Sequence, residues 1–392
     1  GRQARDVMFS RMFGSRKPGE EGKEKDLAHL HIPSIPETSI STDYIESILT
    51  KVKEANPKEG KGTEKSEKGA SAEGLRSFLA SELEMAKKDF ADDKLFLAAD
   101  RMGKLRLFVE ARGKANTENR DANQSREEDK ESNKMAEQLQ KAWDEVVEGD
   151  KTYQAIVSYE VRARKFLRIL ENDEGWSLSH KGNRLVSHWR EETDTDTYSF
   201  RVAGIVDTCV LNIIPLLLET DLYPTWFPLM KLAEDLASPS RFHKVVRSML
   251  KMPYPLLGRE AMIDGRGWDV MEHNRIVISS MSVESHPDVK IPPCPKDRVR
   301  VDIKCGGFLL VPIDDNSTHV TVMFNLNPKV PYLPSSIMNF FLRHVVNQIH
   351  SRMERYSKFK PGSPYLERMA NKAELYAYLE KRYQETRQKK AA

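Results

Sequence analysis

Apolar and polar residues alternate along three segments in the C-terminal half of the chain, 198–207, 298–305 and 319–326. A period of two is typical of β-strands with one dry face and one wet face, as antiparallel strands have. Gly306-Gly307 directly follows the second segment and indicates a bulge or bend, which allows a sheet to curl. The pattern therefore predicts a curved antiparallel sheet.

A helical period replaces the alternation from about residue 335 to residue 356, after Pro331 and Pro334. The broad apolar face of this helix carries Met338, Phe341, Leu342, Val345, Ile349 and Met353. A curved sheet cannot bury its concave face against itself, and this helix is the long apolar element left to cover it. We predict an α+β fold in which a curved antiparallel β-sheet grips a long C-terminal α-helix, encloses a cavity, and follows an N-terminal helical and disordered extension.

The first third of the chain contains two stretches without any large apolar side chain, 53–74 and 110–134. Such stretches cannot bury enough surface to offset the entropy of ordering, so they are predicted to be linkers or charged helix extensions. A short helix is predicted within 30–52, capped by Asp43 with Glu46 three positions on. It is expected either to dock a protein partner or to pack on the main domain.

Helical spacing further predicts a helix pair within 72–111 and a third helix from Met135 towards Leu170. These periods divide the chain into a largely disordered N-terminus with one short helix (1–71), a helix pair with a charged linker (72–134), a sheet-and-helix domain (135–358) and a basic C-terminal helix or tail (359–392).

The amino-acid composition limits the partners and the cellular location expected for the protein. Hydrophobic residues make up 39% and charged residues 31% of the 392, and the net charge of +3 is too small to indicate a nucleic-acid partner. The odd count of three cysteines argues against a disulfide framework and favours a cytoplasmic location. A peripheral association with membranes is compatible with this location. The richest apolar run, 210–218, is too short to span a bilayer.

Both ends of the chain are basic. Residues 2–17 combine arginine with apolar residues, as in a transit-peptide remnant or a membrane-touching helix, or else form a frayed terminus. Residues 358–390 combine basic and apolar residues at helical spacing. This tail is expected either to bind an anionic lipid surface or to pack on the N-terminal helix pair.

Catalytic and metal-binding patterns do not stand out, so we predict no catalytic residue, no metal and no cofactor. The ten histidines are scattered; His286 is interpreted as a turn residue, and His344 and His350 as solvent-facing residues of the closing helix. The acidic run 191–196 lacks the glycine and distant glutamate of a calcium loop and is interpreted as a hairpin loop.

From about residue 150 to residue 357 the chain resembles the StAR-related lipid-transfer (START) family. The resemblance rests on five ordered segments: TDLYPTW at 220–226, KMP at 251–253 leading to GRE at 258–260, SVESHP at 282–287, RVR at 298–300 followed by GG at 306–307, and NPK at 327–329 followed by LPSSIMN at 333–339. Each segment alone is weak, whereas five in the right order are a fairly specific signal.

The resemblance implies non-enzymatic binding and intermembrane transfer of a lipid or sterol, held between the sheet and the C-terminal helix. Residues 251–258 match the family's gating loop, and their apolar side chains would be favoured against a bilayer surface. The lipid-binding residues expected for cavity and gate are Phe200, Arg201, Val202, Met252, Tyr254, Leu256, Leu257, Arg259, Asp264, Met338, Phe341, Leu342, Val345 and Ile349.

The chain departs from the family at two positions. Glu260 replaces the aspartate that follows the arginine of the GRE segment, and Gly265 stands where cholesterol-carrying members place a buried arginine. Sterol preference is therefore doubtful. Arg201 and Asp264 are alternative polar anchors, as an ion pair lining the cavity, although outer-face charges are the more ordinary interpretation.

Two other functions remain open at this point. A lipid-sensing regulatory adaptor would use the same cavity and bind a protein partner through the N-terminal helices. An enzyme acting on a hydrophobic substrate would need a reactive group and an acid or base inside the cavity. Fold similarity alone does not separate a carrier from a sensor.

Overall fold

The computed structural model describes residues 35–54, 72–119, 127–182, 184–192, 195, 197–252, 254, 256–327, 329 and 335–391. The predictions made for residues 2–17, for Pro331 and Pro334, and for most of the stretch 53–74 lie outside the described residues. So do the side chains of Met338, Phe341 and Leu342.

A ten-stranded sheet forms the centre of the described chain. Its strands are β1 (Ser177–Lys181), β2 (Leu185–Glu192), β3 (Thr197–Val206), β4 (Met230–Ser240), β5 (His243–Leu250), β6 (Gly258–Val270), β7 (Arg275–Ser282), β8 (Arg298–Arg300), β9 (Asp302–Asp314) and β10 (Ser317–Asn327). The order across the sheet is β1-β2-β3-β10-β9-β7-β6-β5-β4, with antiparallel neighbours throughout, and short β8 pairs in parallel with β6. The predicted antiparallel sheet is confirmed.

The helices stand before, within and after the sheet. They are α1 (Thr42–Glu54), α2 (Ala72–Ala91), α3 (Leu95–Asn119), α4 (Glu127–Trp143), α5 (Lys151–Glu171), α6 (Val210–Leu218), α7 (Tyr223–Trp226), α8 (Ser335–Tyr356), α9 (Pro364–Asn371) and α10 (Ala373–Ala391). Helix α8 is the predicted closing helix, and it follows the last strand as expected. The predicted α+β helix-grip architecture is therefore confirmed.

Two predicted helix boundaries were wrong. Ser41, not Asp43, caps α1, because its hydroxyl accepts a hydrogen bond from the Tyr44 amide at 3.2 Å. The single helix expected from Met135 towards Leu170 is two helices, since Asp150 caps α5 by accepting from the amides of Thr152 and Tyr153. In both cases the capping side chain decides where the helix begins.

The predicted bulge lies in β9 just before Gly306-Gly307, where the pairing of β9 with β10 changes register. Asn325 pairs with Cys305 and Leu326 with Ile303, so Lys304 is the extra residue of a bulge. Gly307 has φ +148°, and an added Cβ would lie 1.8 Å from the carbonyl oxygen of Ile278. This position therefore requires glycine, because the backbones of β7 and β9 approach too closely for a side chain.

The two faces of the sheet carry separate apolar clusters. On the convex face, Trp268, Val277 and Met323 join a cluster built mainly from α1 to α5. On the concave face, Val202, Phe308 and other strand residues join a cluster built from α6, α8 and the tail, residues 359–391. The sheet is thus covered on both sides, by the N-terminal helices outside and by the closing elements inside.

Arg266 of β6 makes several of the contacts that hold the N-terminal helices to the convex face. The Arg266 guanidinium lies 4.2 Å from the ring centres of both Phe90 and Trp268, and 5.2 Å from that of Tyr159. It also donates a hydrogen bond to buried Asp93, the residue that links α2 to α3, at 3.3 Å. Aromatic stacking and a buried ion pair therefore join the sheet to α2 and α5.

Candidate functional site

The concave face of the sheet is the candidate site, and its floor is apolar across four neighbouring strands. Val202 pairs with Val322, Val322 with Phe308, and Phe308 with Ile278, so these four side chains form one row. Paired residues point to the same face of a sheet, and all four belong to or pack against the concave cluster. A second row passes through Phe200, Phe324, Gly306, Ser280 and Gly265.

The second row has almost no side chain at its middle. Among the described residues, a Cβ added to Gly265 would meet only the Cβ of Ser280, at 3.8 Å, so the described side chains leave room above this part of the floor. The Phe324 ring instead covers Gly306, where an added Cβ would lie 2.3 Å from the ring. The described part of the chain therefore leaves room over the middle of the concave face near β6 and none near β10.

The closing helix α8 covers the β3 end of this floor. Ile349 and Met353 are buried in the concave cluster and Val345 packs against it. Met353 continues the same face one turn further on. The helix contributes only apolar side chains at these three positions.

One polar side chain of α8 also reaches the floor. The prediction that His350 faces solvent was wrong, since only 3% of this residue is exposed. Its imidazole lies against Gly204 of β3, where an added Cβ would be 2.6 Å from Nε2. Burial lowers the pKa of His350 to about 4, so the ring is neutral at neutral pH.

Several buried polar atoms have no hydrogen-bond partner within the described part of the chain, and two of them lie where α8 covers the floor. These two are Nε2 of His350 and Oγ of Ser187, the residue that pairs with Val202 across β2 and β3. Buried polar groups are usually satisfied, so these atoms are available to a polar group of a ligand. Sequence reasoning missed both, because neither residue belongs to a motif or to an apolar stripe.

The predicted gating loop, residues 251–258, presents apolar side chains to solvent where it is described. Tyr254 is 85% exposed and Leu257 is 49% exposed, while Met252 and Leu256 are half-buried. Pro253 and Pro255 lie outside the described residues. We call residues 251–258 the entrance segment.

Arg259 follows the entrance segment as the second residue of β6, and it is buried. Its guanidinium donates hydrogen bonds to the carbonyl oxygens of Leu257 and Lys329. Burial lowers the pKa of Arg259 from its ordinary value. The residue therefore ties the entrance segment to the end of β10.

The interpretation of Arg201 and Asp264 as cavity anchors was wrong. Arg201 stacks 4.7 Å from the Trp176 ring and donates to the Leu170 carbonyl at 2.8 Å, at the end of α5. Asp264 accepts from Arg162 of α5 at 2.8 Å. Both residues are on the convex face, because each is one position away from a residue of the concave rows. They are outer-face charges, but buried beneath the N-terminal helices.

Asp264 also belongs to a group of potential metal ligands. The ligand atoms of His243, Asp264 and His286 lie within 4.8 Å of one another, and His243 Nε2 is 2.6 Å from the Asp264 carboxylate. Burial alone would raise the pKa of Asp264, but hydrogen bonds from His243 and Arg162 outweigh it and hold the pKa below its ordinary value. Because the Arg162 cation already neutralises this carboxylate, a buried ion pair accounts for the arrangement.

The tail packs on the concave side of the sheet domain, so the expectation that it packs on the N-terminal helix pair was wrong. Arg382 of α10 donates to the Asp269 carboxylate at 2.6 Å, at the end of β6. Tyr383 donates to Asp315, in the turn between β9 and β10, at 2.8 Å. Charge patterning alone did not reveal partners more than 60 residues away in sequence.

A cavity of about 50 Å³ lies under the tail. It is lined by Val210, Leu211, Ile214, Leu218, Phe242, Gly267, Trp268, Asp269, Met271, Ile276, Ile278, Leu379, Arg382 and Tyr383. Most of its lining comes from α6, β6, β7 and α10, whereas the sequence predicted a cavity between the sheet and α8. Of the helices that the structure describes, none is both long and apolar enough to cross a bilayer.

Several solved structures are similar to this chain. Human StAR-related lipid transfer protein 5 is 20% identical, with 52% of this chain and 97% of that chain covered and a TM-score of 0.47. Human STARD10 is 19% identical, with 54% and 81% covered and a TM-score of 0.44. The Zhui aromatase/cyclase of Streptomyces sp. R1128 is 14% identical, with 41% and 91% covered and a TM-score of 0.29.

No curated protein sequence matches the chain significantly. The family model of the START domain, in contrast, matches residues 156–358, which is just over half of the chain. The match begins within α5 and ends two residues after α8, so it contains the sheet, both concave rows and the closing helix. The chain belongs to the START domain family.

Proposed function

We propose that this protein binds a lipid non-covalently on the concave face of its sheet and transfers it between membranes. The proposal is carried by an apolar floor that crosses four strands and by the room that the described side chains leave above Gly265. A cavity of 50 Å³ is too small for a whole lipid, so the ligand would also occupy the space above the middle of the floor.

The polar atoms beside α8 favour a carrier over an enzyme. A nucleophile activated by a base requires a hydrogen bond between the two. The polar atoms that reach the floor beside α8, Ser187 Oγ and His350 Nε2, have no such partner among the described residues. A neutral imidazole and a hydroxyl are instead suited to hydrogen-bond a ligand head group or hydroxyl.

The proposal is tested by filling the floor. We expect Gly265→Leu to reduce lipid retention roughly tenfold or more, because the new side chain enters space that the ligand needs. The purified protein is incubated with vesicles of phosphatidylcholine, phosphatidylethanolamine, phosphatidylserine and cholesterol. Lipid per chain is then measured by native mass spectrometry.

A matched control is available in α3. An added Cβ at Gly113 meets nothing within 4 Å, so Gly113→Leu makes the same change far from the floor, and its lipid load should equal that of the wild type. A wild-type protein that emerges without lipid, or a Gly265→Leu variant with a full load, would contradict lipid binding. Transfer between donor and acceptor vesicles separates a carrier from a sensor.

The entrance segment is expected to touch the membrane. Replacing Tyr254 and Leu257 by serine should weaken association with vesicles roughly fivefold for each side chain, because each loses about 1 kcal/mol of apolar burial against lipid. Co-sedimentation with phosphatidylcholine vesicles measures the effect. Val161→Ser, on α5 at a residue that is 64% exposed, is the matched control. Equal binding of the variants and the wild type would remove the entrance segment from membrane contact.

A further inference from the structure

The tail lies beyond the residues that match the START domain, yet it is fixed to the sheet domain by buried partners. Lys372 donates to both carboxylate oxygens of Glu219, at 2.9 and 2.7 Å, and Tyr376 donates to the same carboxylate at 2.9 Å. Glu219 is only 1% exposed. Together with the Arg382–Asp269 contact, this holds both ends of the first half of α10 in place.

Helix α10 forms one wall of the cavity described above, which we call the tail cavity. Leu379 and Tyr383 lie on this wall, Leu211 and Ile214 of α6 on the opposite wall, and Ile278 of β7 on the floor. Without α10 the floor at this end of the sheet would be open to solvent, because the other lining residues come from α6 and the strands or adjoin them. The boundary of the cavity is therefore a feature of this chain, supplied by its tail.

The size of the tail cavity limits its occupant. A single water needs roughly 10–15 Å³, whereas an apolar cavity of about 150 Å³ accepts benzene. The tail cavity, at about 50 Å³, can hold a few carbon atoms and not a ring system or a head group. Its occupant must be a small part of a larger molecule.

The chemistry of the lining identifies that part. The two charged side chains that line the cavity, Asp269 and Arg382, are paired with each other at 2.6 Å. The remaining lining is mainly aliphatic and aromatic, so a water inside would have few polar partners. The end of a hydrocarbon chain suits these surroundings, because it needs no hydrogen bond.

The tail cavity is also next to the space proposed for the ligand. Gly267, which lines it, follows Gly265 by two residues on the same face of β6, a distance of about 7 Å along the strand. Ile278, on its floor, belongs to the apolar row that runs through Phe308 and Val322 to Val202. A chain lying above Gly265 can therefore extend directly into the tail cavity.

We propose that the tail cavity receives the end of the ligand's hydrocarbon chain, so that α10 limits the length of chain that the protein accepts. The inference rests on the proposed lipid binding and adds to it a specificity determinant outside the START domain. Leu379, which points into the cavity from α10, is the residue that sets the limit.

The experiment changes the depth of the cavity in both directions. Vesicles contain phosphatidylcholine, phosphatidylethanolamine and phosphatidylserine, each with a graded series of acyl-chain lengths, and native mass spectrometry gives the chain lengths retained by each variant. Leu379→Trp should shift the retained lipids to shorter chains and Leu379→Ala to longer chains. The expected change is roughly fourfold in relative retention for each methylene group excluded or admitted.

Two further variants complete the test. Leu211→Phe shortens the cavity from the opposite wall without changing the tail, and should also favour shorter chains. Leu366→Trp, at an exposed residue of α9 that does not line the cavity, should leave the distribution unchanged. An unchanged distribution in the Leu379 and Leu211 variants, with a full lipid load, would overturn the inference and leave the proposed function standing. A wild-type protein without bound lipid would overturn both.

Discussion

Glu260→Gln is expected to lower the free energy of unfolding by about 3 kcal/mol. Glu260 is fully buried, and its two carboxylate oxygens accept hydrogen bonds from Arg247 Nε at 2.7 Å and from Arg300 Nη2 at 2.6 Å. Burial alone would raise the pKa of Glu260, but the hydrogen bonds from Arg300 and Arg247 outweigh it and lower the pKa. The folded protein therefore favours the ionised carboxylate.

The glutamine side chain keeps the shape and removes the charge. Its amide oxygen can accept from one arginine only, while its NH₂ group faces the other, so a half-buried cation loses its carboxylate partner. Denaturant unfolding followed by circular dichroism measures the change. The family's aspartate stands where this chain has Glu260, so sequence reasoning noticed the position but could not see its two partners.

Glu234→Gln is the matched control for this prediction. Glu234 is an exposed residue of β4 whose carboxylate lies 3.9 Å from the same Arg247, and its loss should change the unfolding free energy by less than about 0.5 kcal/mol. Similar losses for the two variants would mean that the buried ion pairs of Glu260 do not stabilise the fold.

Acidification from about pH 7 to pH 5 is expected to lower the free energy of unfolding by about 4 kcal/mol. Burial lowers the pKa of both His319 and His350 to about 4, from an ordinary value of 6.5. In this range the unfolded chain binds a proton at each histidine and the folded chain does not. Stability is therefore fully present above pH 6.5 and is lost as the pH falls towards 4, by about 2 kcal/mol per histidine at pH 5.

The histidine variants separate the loss caused by His319 and His350 from any effect of Asp93 and Glu272, two carboxylates whose pKa values are raised by burial. The pKa values of Asp264 and Glu260 are held below their ordinary values, so these groups remain ionised at pH 5 in the folded protein. His319→Gln and His350→Gln should each remove about half of the loss, as measured by denaturant unfolding at both pH values. Equal stability of the wild type at the two pH values would show that neither histidine is buried in its neutral form.

The fold could be predicted from the sequence because both the strand period of two and the helical period of the closing helix are regular. Alternation along β3, β9 and β10 predicted strands with one apolar face, and the long apolar stripe after the last strand predicted the closing helix. The same alternation places Phe200 and Val202 on the concave floor. It also excludes Arg201 from that floor, because adjacent residues of a strand point to opposite faces.

The rest of the site depends on contacts between distant segments. The partners of Lys372 and Arg382, Glu219 and Asp269, are more than 100 residues away in sequence, and nothing in a charge pattern identifies them. Ser187 and His350 are buried because a helix and two strands meet there, not because their own segments are apolar. Burial of single polar residues is a property of the assembled fold.

The contacts of Arg266 with Phe90, Tyr159 and Trp268 have a consequence for how a guest molecule is admitted. They fix the convex face of the sheet to α2 and α5, so that moving the sheet away from these helices would separate a cation from the rings of Phe90 and Tyr159 and from Asp93 at once. We therefore expect the ligand space to widen by movement of the helices on the concave face, α6, α8 and α10. The sheet and the N-terminal helices then keep their relative positions while the concave-face helices move to admit the ligand.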